Sequence, residues 1–96
     1  YGNLVHVSLH SNRIEGMIPS TLGQLENLTD LELNSNKVTG PIPVEFGNLI
    51  CLRTLYLSNN LLTGSIPPTM GRLKEMTGLF LDSNQFTGPS PLKKGI

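Results

Sequence analysis

Leu52-Arg53-Thr54-Leu55-Tyr56-Leu57-Ser58-Asn59-Asn60-Leu61-Leu62-Thr63-Gly64-Ser65-Ile66-Pro67 spells the pattern L-x-x-L-x-L-x-x-N-x-L-x-G-x-I-P. The pattern returns every 24 residues, so that Asn12, Asn36, Asn60 and Asn84 stand in one phase. Around them run the apolar columns Leu4, Leu28, Leu52, Met76; Val7, Leu31, Leu55, Leu79; Leu9, Leu33, Leu57, Leu81; and Ile14, Val38, Leu62, Phe86. Beyond lie Gly16, Gly40, Gly64, Gly88, then Ile18, Ile42, Ile66 with Ser90 as the exception, then Pro19, Pro43, Pro67, Pro91. Leu22, Phe46, Met70 and Leu25, Leu49, Leu73 complete the repeat.

A chain written this way cannot fold one repeat at a time. Ordering the backbone costs roughly 1–2 kcal/mol per residue, whereas each buried apolar side chain returns about 1.5–3 kcal/mol. Stacking closes the gap, because neighbouring coils bury their leucine columns against each other and pair their strands in parallel about 4.8 Å apart. The asparagine column lies where the chain leaves the strand, and a buried amide there needs partners for its donors and acceptor. A ladder of amides bonding the backbone of adjacent coils is the expectation. The column of Gly16, Gly40, Gly64 and Gly88 marks a backbone position with positive φ or no room for a Cβ, and the following prolines end local pairing. All these columns are scaffold and none is a candidate site.

A repeat of about 20–29 residues with this skeleton is that of the leucine-rich repeat solenoid. The extension Ile14-Glu15-Gly16-Met17-Ile18-Pro19, repeated as Leu62-Thr63-Gly64-Ser65-Ile66-Pro67, resembles the plant-specific class of that family. The resemblance covers essentially the whole chain. It implies an α/β repeat solenoid, a horseshoe segment with one short parallel strand per 24-residue coil and mostly loop and 3-10 structure on the convex side. It also implies a second short strand near the glycine column. Residues 1–96 are expected to form one segment of four coils, about 4–27, 28–51, 52–75 and 76–96, with no capping repeat at either end and the look of a fragment.

Composition narrows the partners. Seven basic and seven acidic residues balance, which gives no electrostatic reason to seek nucleic acid or an anionic membrane. No apolar run approaches the roughly 18 residues of a membrane span. Cys51 is the single cysteine, so there is no disulfide framework, and with Asn3, Asn27 and Glu75 in its column it reads as an incidental, partly exposed thiol. Asn27-Leu28-Thr29 is an N-glycosylation sequon at a coil edge, expected to be occupied.

Side chains alternate faces along a strand, so the positions between the leucines point from the concave side. They follow no rule from coil to coil. The third position of each repeat holds His6, Asp30, Thr54 and Gly78; the fifth holds Ser8, Glu32, Tyr56 and Phe80; the seventh holds His10, Asn34, Ser58 and Asp82. Tyr56 and Phe80 fall in one column on adjacent coils, about 4.8 Å apart, as anchors of a binding surface do. Asp30, Glu32 and Asp82 flank them with negative charge suited to a positive or amide-rich stretch of a ligand. The candidate binding residues are therefore His6, Ser8, His10, Asp30, Glu32, Asn34, Tyr56, Ser58, Phe80 and Asp82.

Catalysis is set aside. Asp30 and Glu32 would be about 6.6 Å apart on one strand face, within reach of a glycosidase pair, but a shallow sheet leaves both in water. His6 and His10, roughly 13 Å apart in a strand, are too distant for one metal ion. No pair of arginines shares a concave column, and Arg53 stands alone at the strand edge. Neither phosphate-binding loop, kinase signature nor nucleophile elbow is present, and no cofactor is expected.

Resemblance to plant receptor-like kinases and receptor-like proteins implies recognition of a peptide or protein ligand, with a co-receptor as a further partner. The segment would lie on the extracellular face of the plasma membrane without inserting into it, any kinase domain lying elsewhere. A soluble cell-wall defence protein of the polygalacturonase-inhibitor type uses the same repeat, and Ser90 and Lys94, where the pattern decays, suggest a truncated copy without activity.

Overall fold

A computed structural model describes residues 5–88; Leu4 at one end and Ser90, Pro91 and Lys94 at the other lie outside them. Two parallel sheets form among the described residues. The first is ordered β1–β3–β5–β7, formed by Val5–Ser8, Leu28–Glu32, Thr54–Tyr56 and Gly78–Phe80. The second is ordered β2–β4–β6, formed by Glu15–Met17, Lys37–Gly40 and Leu61–Leu62. Pairing in the first sheet keeps the 24-residue phase, with Leu31 opposite Leu55 and Leu55 opposite Leu79.

The strands of the first sheet are short because their side chains alternate only until the chain must turn inward. Backbone bonds nevertheless continue past them: Leu33 N–H donates to the Tyr56 carbonyl and Ser35 N–H to the Ser58 carbonyl, both at 2.9 Å. The turn itself sits on Ser11, Ser35, Asn59 and Ser83, all left-handed with φ near 60° (58°, 61°, 59° and 60°). Three of them are serines, for which that region is uncommon, and the ladder on either side fixes it.

The asparagine ladder forms as expected. Asn60 Nδ2 donates to the carbonyls of Leu33, Leu57 and Ser58, while its Oδ1 accepts from Val38 N–H at 3.0 Å. Asn36 accepts from Asn12 N–H and Ile14 N–H in the coil before, and Asn84 from Leu62 N–H. Each amide therefore ties its own turn to the preceding coil. Gly40 and Gly64, at φ 78° and 76°, occupy the positive-φ position expected of their column.

Three 3-10 turns, Ser20–Gln24, Val44–Asn48 and Pro68–Arg72, form the convex side, and no α-helix occurs among the described residues. Each is entered through a proline, Pro19, Pro43 or Pro67, in extended conformation. Between the layers lies a single core that includes Leu28, Leu31, Phe46, Leu49, Leu52, Leu55, Leu57 and Leu62. Leu9 departs from its column. It is exposed where Leu33 and Leu57 are buried, since its coil is packed on one side only.

Candidate functional site

Pairing of the first sheet brings the concave columns together as read from the sequence. His6 faces Asp30, Asp30 faces Thr54 and Thr54 faces Gly78; Ser8 faces Glu32, Glu32 faces Tyr56 and Tyr56 faces Phe80. His10, Asn34, Ser58 and Asp82 follow the strands, held in register by Leu9 N–H to the Glu32 carbonyl and Leu57 N–H to the Phe80 carbonyl.

Tyr56 and Phe80 stack, with ring centroids 4.7 Å apart and planes inclined by 13°. Phe80 remains 43% exposed, although a ring is costly to leave in water. No side chain among the described residues bonds the Tyr56 hydroxyl. Such a pair is already ordered, so a ligand meeting it has little rotamer freedom left to remove.

The acidic side differs from expectation. Asp30 and Glu32 were expected to stand in water, yet their side chains are only 16% and 23% exposed. Their neighbours explain it. Thr54 Oγ1 donates to Asp30 Oδ1, and Thr29 Oγ1 lies 2.9 Å from both Asp30 Oδ2 and the Val5 carbonyl. Arg53 reaches within 3.8 Å of Asp30 Oδ2, and His6 Nδ1 approaches the same oxygen at 3.8 Å. The Thr54 hydroxyl above all, then Thr29, Arg53 and His6, hold the Asp30 carboxyl below its usual range, against the opposing effect of burial. Thr29 comes into reach because the pairing of β1 with β3 slips there, Val5 facing Leu28 while His6 faces Asp30. An irregularity of this kind re-aims side chains.

His6 and His10 also depart from the strand estimate that kept them apart. His6 Nε2 lies 3.3 Å from Glu32 Oε2, His10 Nε2 lies 3.7 Å from Glu32 Oε1, and Ser8 Oγ donates to Oε1 at 2.9 Å. One carboxylate thus gathers three side chains of the first coil. β1 ends at Ser8, so His10 is past the extended stretch and its ring can lean back. No group of metal-ligating residues that could hold an ion occurs among the described residues. Asp82 accepts from Ser58 Oγ at 2.6 Å. Asn34 is half-buried and its amide bonds no described side chain.

Sequence reasoning placed Thr54 on the concave face without counting it among the candidate binding residues, and it missed Thr29 and the reach of Arg53 to Asp30. Threonines beside an acidic position were the available signal.

Residues 2–62 match the Leucine rich repeat family. The chain belongs to the leucine-rich repeat family. Its solved structural relatives include the ectodomain of the plant membrane receptor kinase GASSHO1/SCHENGEN3 from Arabidopsis thaliana in complex with CASPARIAN STRIP INTEGRITY FACTOR 2, at 37% identity and TM-score 0.86, over 88% of this chain and 10% of that one. The Arabidopsis receptor kinase HAESA ectodomain, in complex with an extended IDA peptide hormone, matches at 31% identity and TM-score 0.77, over 91% of this chain and 18% of that one. A plant ice-binding protein matches at 38% identity and TM-score 0.80, over 84% of this chain and 26% of that one. No match was found among curated proteins.

The leucine-rich repeat segment thus spans a tenth to a fifth of the two receptor ectodomains. It has the plant form of the repeat, and repeats of this kind are non-catalytic recognition modules. No helix among the described residues is long and apolar enough to cross a membrane.

Proposed function

We propose that this segment recognises a peptide or protein through the concave face of its first sheet, as part of the extracellular region of a plant receptor-like kinase or receptor-like protein. The observation that carries the reading is the stacked pair of a half-buried Tyr56 and an exposed Phe80, which sits on positions that the repeat leaves free. Relatives crystallised with a peptide hormone or with CASPARIAN STRIP INTEGRITY FACTOR 2 support it. Residues 1–96 then form one four-coil part of such a region, with a co-receptor as second partner. Any kinase activity belongs to a separate domain.

Short peptides recovered on the wild-type chain from a random display library test the reading. Combining Tyr56→Ala with Phe80→Ala is expected to weaken their binding about tenfold or more, and unchanged affinity would sink it. Asn27, exposed at a coil edge beside the buried Thr29, is proposed to carry a glycan in material from the source tissue. A peptide map showing Asn27 unmodified rejects that assignment.

Likeness to a plant ice-binding protein favours a second reading, a soluble cell-wall defence protein of the polygalacturonase-inhibitor type. A transcript that encodes a membrane span after the repeats excludes it.

A further inference from the structure

Gly78 is the one residue without a side chain in the column His6, Asp30, Thr54, Gly78. Its backbone is ordinary strand, so conformational freedom does not explain it. A Cβ built there would lie 3.2 Å from Phe80 Cε2 and 3.3 Å from Thr54 Cγ2. The edge of the Phe80 ring therefore fills the space that a side chain at position 78 would take. In that posture it stacks on Tyr56.

The rest of the face carries a net negative charge. Asp30, Glu32 and Asp82 contribute three carboxylates, and Arg53, which reaches Asp30, is the one permanent cation among them. Serine and threonine hydroxyls satisfy some lone pairs without cancelling that charge. From the repeat of Glu32 to that of Phe80 is two strand spacings, about 9.6 Å, which three residues of an extended polyproline II segment at about 3.1 Å each would span with both side chains on one face.

We propose that Gly78 is a specificity-determining position, and that the segment it selects is an extended cationic peptide. Its apolar side chain seats against Tyr56 and Phe80, while a Lys or Arg three residues away lies over the Asp30–Glu32 end. This inference rests on the recognition function proposed above and narrows its ligand. A larger side chain at position 78 would drive Phe80 off its place and separate the two rings.

The test is to pan short random peptides on the wild-type chain and on Gly78→Val, and to map the recovered peptides by amide chemical shifts. Wild type is expected to enrich peptides that pair an aliphatic or aromatic residue with Lys or Arg three positions away, shifting Tyr56, Phe80 and Glu32. Gly78→Val is expected to bind those peptides about tenfold more weakly. Should that variant fail to fold, Gly78→Ala, whose Cβ displaces the Phe80 ring edge by a few tenths of an ångström, replaces it, read by a change in the mutual ring-current shifts of Tyr56 and Phe80 together with weaker binding. A folded variant that binds as wild type does, or enrichment of acidic peptides on the concave face, overturns the inference while recognition by that face stands. Peptides that map to β2, β4 and β6 or to the 3-10 turns overturn both.

Discussion

Replacing Asn60 by alanine removes the most buried amide of the ladder, and its cost can be worked out group by group. Three carbonyls lose a donor, but each keeps another: Leu33 O retains Asn36 Nδ2, Leu57 O retains Asn84 Nδ2, and Ser58 O retains Ser35 N–H. The Val38 N–H has no substitute, since Asn60 Oδ1 is its acceptor and Val38 is buried. An orphaned buried donor costs about 1–3 kcal/mol, and the weakened carbonyl bonds and lost packing add on the order of 1 kcal/mol. Asn60→Ala is therefore expected to lose about 2–4 kcal/mol in urea unfolding followed by far-UV circular dichroism. For a domain of this size that lowers the melting temperature by roughly 10 °C or more. Asn12→Ala is the internal control. Asn12 is exposed and its Nδ2 reaches only the Leu9 and His10 carbonyls of its own turn, so its loss is expected to cost less than about 1 kcal/mol. Equal effects of the two variants, or an Asn60→Ala chain within about 0.5 kcal/mol of wild type, would refute the view that the amides seal each coil to the one before.

Packing and charge give further expectations. A Cβ on Gly47 would lie 2.6 Å from Thr69 Cβ and 2.7 Å from the Thr69 carbonyl, whereas one on Gly71 meets nothing within 4 Å among the described residues. Gly47→Ala is thus expected to cost about 1–3 kcal/mol in urea unfolding and Gly71→Ala far less; the reverse order contradicts the close stacking of the 3-10 turns. Because the folded-state pKa of Asp30 is depressed, its contribution to stability is present above the ordinary value of 3.8 and is lost as pH falls below it. Thr54→Val removes the largest cause of that depression, so the stability lost between about pH 5 and 2 should shrink. An unaltered acid slope rules out Thr54 as the group responsible.

Most of the scaffold is legible in the sequence because a solenoid repeats its backbone as well as its side chains. Once Asn12, Asn36, Asn60 and Asn84 fix the phase, the apolar columns, strand pairing and concave positions follow. The left-handed column Ser11, Ser35, Asn59, Ser83 does not. Serine has no special preference for that region, and only the turn, imposed by ladder bonds on both sides, puts it there. Close approach at Gly47 was hidden for a similar reason: its cause is Thr69, a residue of the next coil.

The concave site was legible as a set of positions but not as a network. Alternation along β1, β3, β5 and β7 shows which side chains point outward, and it placed Tyr56 beside Phe80. It carries no information about which way a long side chain leans. His6, within β1, and His10, beyond its end, both lean onto Glu32, and Asp30 is enclosed where the β1–β3 pairing slips beside Thr29. The lean of Phe80 into the space above Gly78 likewise depends on a gap in a column, visible in the sequence only as a missing side chain.

Recognition by the concave face is tested most directly by amide hydrogen exchange on the chain alone and with a display-selected peptide bound. Slower exchange confined to β1, β3, β5, β7 and the residues that follow each of them, with Tyr56 and Phe80 among the most protected, is expected. Protection confined to β2, β4 and β6 or to the 3-10 turns, with the first sheet unchanged, would contradict it.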